Sequence, residues 1–370
     1  MKRLLLLVLP FLLCGCTHDM NREEIDEIDL VLVLGIDYDD GEYNLSALYS
    51  TGGGADTEEG AGPGEEQVVK GKGITAYKAL EDLKLKNKKN ITLAQTGSFL
   101  IGEEAAKQGI DRALDFLKRD ETIKMEALVY IIKEKKASDF IEEGIKNKQT
   151  IHEDLEAMEQ KQKALLTRNE NTFVNILNDM EQSYSSVLIP YLIGGKSGLL
   201  IEGYAVFDEL KLVDYLDRDT SDGVNFFRNI MRSFPIYLDN EVSLAISYTK
   251  TKLKADLINK NIILTVRVDF ETMLKEIITK ENIFTQEELI RLTDAQNEYV
   301  LAILEKPVEY SKRNGMDILN LARIVENQNV SGWKGIEGNW DAMISNIEYE
   351  YQVRSQITKS FILGNNKNNK

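Results

Sequence analysis

Residues 94–132 read AQTGSFLIGEEAAKQGIDRALDFLKRDETIKMEALVYII, and the change of period within them decides the fold class. Ala94–Ile101 ends in an apolar run that fits a strand. From Glu103, Ala106, Ile110, Ala113, Leu114 and Leu117 recur at steps of three and four, which predicts a helix over Glu103–Leu117 with one buried face. Glu103 and Glu104 at its start and Lys118 and Arg119 at its end match the helix dipole. Ala127–Ile132 returns to a continuous apolar run, a second strand, and a short helix follows over Ala137–Lys146. Strand, helix, strand, helix is an α/β alternation.

Toward the N-terminus, Ile28-Asp29-Leu30-Val31-Leu32-Val33-Leu34-Gly35-Ile36 is β-branched and apolar enough for a buried strand. Asp39-Asp40-Gly41 then leads into Glu42–Tyr49, whose odd positions are largely apolar, and the pair reads as a β-hairpin. Asp37, Asp39, Asp40 and Glu42 do not make a calcium loop, because Gly41 stands where that spacing needs its third acidic ligand. Thr51–Glu66 is rich in glycine and glutamate and is expected to be a mobile exposed loop. A phosphate cradle there would need a following Lys-Ser/Thr and positive surroundings. Helical spacing returns over Ile74–Leu85.

Toward the C-terminus, Ile151 to about Ser183 predicts helix with a break near Thr167-Arg168-Asn169. Pro190 marks Val187–Ile193 as an edge strand. Gly194-Gly195-Lys196-Ser197 lacks the first glycine of a P-loop, Pro190 standing in its place, and reads as a turn into the strand Leu199–Phe207 and as a domain boundary. Val242–Leu253 and Asn261–Phe270 form antiparallel strands joined at Asn259-Lys260-Asn261. Thr285-Gln286-Glu287-Glu288 is a capping box opening a long helix up to Pro307. Another helix near Met316–Glu326 and a strand around Ile344–Phe361 follow. The expected fold is α+β or mixed α/β in two to three domains. An N-terminal α/β region spans 23–195, and a C-terminal α+β domain, an antiparallel sheet on a long helix, spans 199–363. Residues 364–370 are left as a disordered tail.

With 370 residues, 43% hydrophobic and 29% charged, the composition is that of a globular chain. Forty-five basic against 61 acidic side chains, a net charge of −16, argue against a nucleic acid partner. Two cysteines and two histidines are too few for a disulfide framework, a zinc site or haem attachment, so no metal or cofactor is expected. His18 falls in a polar tether and His152 near the start of a polar helix. No G-x-S-x-G, H-E-x-x-H or S-x-x-K set accompanies them, and no catalytic residue can be named.

The N-terminus begins with Lys2 and Arg3 and continues with the apolar run Leu4–Leu13, the layout of a secretory signal. Ten residues are half of the roughly 20 needed to cross a bilayer as a helix. The run closes with Leu13-Cys14-Gly15-Cys16, which resembles the bacterial lipobox. Residues 1–15 are thus expected to be removed, Cys16 to be acylated, and 16–22 to form a lipidated tether. Acyl chains contribute roughly 0.8 kcal/mol per buried methylene, so two or three hold a protein at the membrane with its polypeptide in water. Removal of Lys2 and Arg3 leaves 43 basic against 61 acidic groups, a formal −18, so adhesion would rest on lipid and protein partners rather than on headgroup charge.

The ordered segments resemble the Ger(x)C family, the lipoprotein C subunits of spore germinant receptors. The resemblance is carried by the lipobox at Cys16, by Arg22-Glu23-Glu24-Ile25 through Val33-Leu34-Gly35-Ile36-Asp37, by Val68–Lys86, by Gly97–Ile132 and by Glu202–Leu216. The last contains Gly203-Tyr204-Ala205-Val206-Phe207 and Lys211-Leu212-Val213; weaker likeness continues through Trp333 and Trp340. The tryptophan usual shortly after the lipidated cysteine is missing here. The resemblance implies a three-domain mixed α/β fold and a non-enzymatic subunit of a nutrient germinant receptor, partnered by membrane-embedded A and B subunits and located on the outer face of the spore inner membrane. The alternative is an extracytoplasmic solute-binding lipoprotein of a transporter.

Overall fold

The computed structural model describes residues 27–51, 65–182, 184–195, 198–239, 241–259, 261–278 and 285–358. The first strand, β1 (Ile28–Asp39), turns at Asp40 and Gly41, both at positive φ, into β2 (Glu42–Thr51), with Asp39 facing Glu42. The expected hairpin is therefore present. Next come β3 (Glu65–Gly73), α1 (Ala76–Lys86), β4 (Asn90–Thr92), β5 (Ser98–Gly102), α2 (Glu103–Gln108), α3 (Ile110–Lys118) and β6 (Leu128–Ile132). They are followed by α4 (Ala137–Lys146), α5 (Ile151–Leu165), α6 (Phe173–Met180), β7 (Val187–Gly195), β8 (Gly198–Asp208) and β9 (Lys211–Tyr215).

These nine strands form one sheet in the order β3-β2-β1-β5-β6-β7-β8-β9, with β4 also paired to β1. β1, β5, β6 and β7 are parallel, and the outer hairpins are antiparallel. Helices α1, α2, α3 and α6 cover one face, while α4 and α5 cover the opposite face near the middle. Burial on both faces explains why β5 and β6 read as unbroken apolar runs, every residue of each being buried. α1 lies directly on β3, since a Cβ at Gly71 would sit 2.2 Å from the Ala79 carbonyl oxygen.

The second body begins with α7 (Arg218–Phe227) and contains a four-stranded sheet, β10 (Pro235–Leu238), β11 (Val242–Ile258), β12 (Asn261–Ile277) and β13 (Glu348–Thr358). Between its third and fourth strands run α8 (Gln286–Asn314), α9 (Leu321–Gln328), α10 (Val330–Trp333) and α11 (Trp340–Ile344). β11 and β12 are antiparallel, as expected, whereas β13 returns parallel to β12. The mixed α+β architecture in more than one body agrees with the reading of the sequence. β8 and β9, although they follow the expected boundary at 195–199, are hydrogen-bonded into the first sheet.

Several local expectations are corrected. Glu65 and Glu66 open β3 rather than closing a loop, and residues 52–64 lie outside the described residues. The helix expected over 103–117 breaks at Gly109, whose φ of +130° suits glycine, and the Ile110 N–H turns to the Leu210 carbonyl at 2.9 Å. β7 is an interior strand rather than an edge: its pairing with β6 begins at Tyr191, one residue after Pro190, so the missing N–H costs that ladder nothing. α8 runs through Pro307 to Asn314. Without an N–H at 307 the Ile303 carbonyl is left free, and α7 crosses there so closely that a Cβ at Gly223 would lie 2.5 Å from its oxygen. The last strand spans Glu348–Thr358, Ile344 ending a helix instead.

Candidate functional site

In open α/β sheets, ligands bind beyond the carboxyl ends of the parallel strands. Here that rim is formed by Asp37 at the end of β1, Gly102 and Glu103 at the junction of β5 and α2, and Lys133–Lys136 after β6. The buried Asp37 carboxylate accepts from the backbone N–H groups of Ala137 (2.6 Å) and Ser138 (2.9 Å), capping α4 from another strand. Burial pushes its pKa above the ordinary carboxylate range, against the pull of those two bonds. Gly102 has no room for a side chain, because a Cβ would lie 2.1 Å from Asp37 Oδ1.

Beside it, Glu103 accepts from the Glu134 N–H (2.6 Å), the Tyr215 hydroxyl (2.9 Å) and Lys107 Nζ (2.7 Å). Despite partial desolvation, these donors hold its pKa below the usual value. Tyr215 meets Tyr191 edge to face, and Lys133 Nζ stands about 5 Å from both ring centres. The Asp37 and Glu103 carboxylates at the rim are thus each held by donors from elsewhere in the chain.

The same device recurs twice. Glu66 on β3 accepts from the backbone of Ile151 (3.0 Å) and His152 (3.3 Å) and pairs with His152 Nδ1, so it caps α5. Among the described residues no hydroxyl or thiol is hydrogen-bonded to His152. His18 and Cys16 lie outside the described residues. Among the described residues no group of three or more His, Cys, Asp or Glu could hold a metal ion.

The third carboxylate, Asp317, is 3% exposed and joins the two bodies. It accepts from Leu321 N–H (2.8 Å), Ala322 N–H (2.7 Å), Trp340 Nε1 (3.2 Å) and the Ser185 hydroxyl (3.3 Å), while its own carbonyl accepts from Ser186 N–H (3.0 Å). Trp340, Trp333 and Tyr184 pack edge to face around it. The second joint is the segment Glu202–Leu216. Ala205 and Phe207 enter the core of the large sheet, whereas Tyr204 and Val206 point into the core shared with α7, α8 and the second sheet. The Tyr204 hydroxyl donates to Asn225 (2.7 Å), and Gly203 lets the chain pass where a Cβ would meet the Leu216 carbonyl at 2.1 Å. The motifs singled out in the sequence, Gly203–Phe207 and the two tryptophans, are the joints between the bodies. The capping carboxylates carried no comparable signal, because their partners lie far away in the chain.

Comparison with known proteins matches residues 21–193 to the family described as "Spore germination protein N-terminal domain" and residues 202–360 to "Spore germination B3/ GerAC like, C-terminal". The chain belongs to the Ger(x)C family. The gap between the two matched regions falls on the β7–β8 hairpin. The chain is 23% identical to Spore germination protein KC of Bacillus subtilis (strain 168) over 91% of its own length and 89% of that protein. It is 23% identical to Spore germination protein GerQC of Bacillus cereus over 58% of this chain and 57% of that one. A solved structure, that of the GerBC protein, superposes with a TM-score of 0.57 at 17% identity, covering 88% of this chain and 96% of that chain, and so shares the fold.

Proposed function

We propose that this protein is a non-enzymatic, lipid-anchored subunit of a nutrient germinant receptor, required for spore germination and held by acylated Cys16 on the outer face of the spore inner membrane. The observation that carries the reading is the match to both spore germination domains along nearly the whole mature chain. The lipobox at Leu13–Cys16 supports the anchor, and no helix among the described residues is long and apolar enough to cross a membrane. The use of the buried carboxylates Asp37, Glu66 and Asp317 as helix caps supports a bracing role. Its partners are the membrane-embedded A and B subunits, which the folded body caps or braces. A solute-binding lipoprotein would need two lobes around a cleft; the second body here is a four-stranded sheet on a 29-residue helix.

Deleting the gene tests the reading. Germination in response to nutrients is lost and returns on complementation. Intact nutrient germination in a deletion strain that also lacks every paralogous receptor contradicts it.

A further inference from the structure

The second sheet guards one edge and leaves the other open. Beyond its short pairing with β10, the free side of β11 is covered by hydrogen bonds from elsewhere. Ile246 N–H donates to the Phe234 carbonyl (2.8 Å), Thr251 N–H to Asn229 (2.7 Å) and Ala255 N–H to Gln328 (2.8 Å). Gln328 and Asn329 in turn donate to the carbonyls of Leu253 (3.0 Å) and Ala255 (2.8 Å). At the opposite edge β13 runs for 11 residues; among the described residues it pairs only with β12, and nothing bonds to the main chain on its outer side. The strand has no proline, glycine or bulge to blunt it, and a long regular edge is a template for another strand.

Its charges suit one occupant in particular. Glu348, Glu350, Gln352, Arg354 and Gln356 share the exposed face of β13. Neither Glu350 nor Arg354 has an ion-pair partner among the described residues, and Asp269, beside Arg354 in the ladder, is already held by Arg267 at 2.8 Å. Two antiparallel copies of β13 aligned with Gln352 opposite Gln352 bring Glu350 opposite Arg354 of the second copy, twice across the axis. Glu348 then faces Gln356, and no like charges meet. Moving the axis to Val353 removes both ion pairs.

We propose that β13 is the contact of a two-fold homodimer, in which two copies pair edge to edge with Gln352 on the axis and join their sheets into one of eight strands. Main-chain hydrogen bonds supply the adhesion and the Glu350–Arg354 pairs fix the register. The proposal does not depend on the lipid anchor or on the receptor reading.

Cysteine cross-linking of the full-length protein in membranes tests it, with the unsubstituted chain controlling for Cys14 and Cys16. Directly opposed residues in an antiparallel pair have Cβ atoms about 4.5–5.5 Å apart, so Gln352→Cys should give a disulfide-linked dimer on mild oxidation. Glu348→Cys alone should not, but mixed with Gln356→Cys it should. Glu350→Arg sets like charges opposite each other at two places and should lower the Gln352→Cys dimer about ten-fold; adding Arg354→Glu restores it. The proposal is overturned if folded Gln352→Cys protein stays monomeric or links to a different polypeptide. It is equally overturned if Glu348→Cys alone links as well, or if Glu350→Arg changes nothing.

Discussion

Replacing Asp317 with alanine removes the acceptor on which the joint between the two bodies converges. Three buried donors, the N–H groups of Leu321 and Ala322 and Trp340 Nε1, lose their partner at once. A buried donor left unsatisfied costs about 1–3 kcal/mol, and loss of a helix cap is typically about 1 kcal/mol within that sum. Part of the loss is offset, because burial already holds the Asp317 carboxyl above its ordinary pKa and alanine relieves that strain. The expected net destabilisation is about 3 kcal/mol. The chain has just two tryptophans, Trp333 and Trp340, and both belong to this cluster, so intrinsic fluorescence reports on the joint itself. Urea titration followed by tryptophan emission should show a lowered midpoint at unchanged slope, with emission already shifted to longer wavelength in the native baseline. Asp317→Asn, which keeps one acceptor oxygen, should cost less than Asp317→Ala. An alanine variant within about 0.5 kcal/mol of the parent and with unchanged emission would refute the reasoning.

Val206 is fully buried between the two bodies, and Val206→Asp would set an unpaired charge there at a cost of several kcal/mol, comparable with a domain's whole stability. Immunoblots of membranes should find the variant scarce; normal abundance of a folded protein that fails to support germination would show instead that this segment is an interface. Asp222 has its pKa raised to about 6, first by burial and then by Asp219 and Asp217 nearby. Its folded pKa exceeds its unfolded one, so the native state binds the proton more tightly and stability falls as pH rises from about 4 to 6, by about 3 kcal/mol. Asp222→Asn should therefore be more stable than the parent at pH 7 and equal to it near pH 4. Equal urea midpoints at both pH values would contradict the shift.

What could be read from the sequence followed what burial imposes locally. The run Ser98–Ile101 and the spacing Ala106, Ile110, Leu114, Leu117 announce a strand and a helical stretch because each must hide one side or both, although the spacing does not show the break at Gly109. β3 escaped that logic: Glu65-Glu66-Gln67 is polar, and Gly71 and Gly73 are there to admit α1, a need set by a helix still to come. Pro190 misled because the rule concerns a missing donor, and only the register with β6 shows that the donor is not needed. In a chain with 61 acidic residues, nothing marks Asp37, Glu66 and Asp317 as caps; Asp37 and Ala137 are 100 positions apart. Cys16 is read from the lipobox alone.

Attachment to a membrane receptor is open to direct test by affinity purification from the inner membranes of dormant spores. A tagged chain solubilised in mild detergent should bring down two polytopic proteins of the A and B types, and Cys16→Ala should deplete the chain from the membrane fraction and with it the recovered complex. Recovery of the tagged chain from the soluble fraction, or from membranes with a transporter permease in place of A and B subunits, would contradict the account.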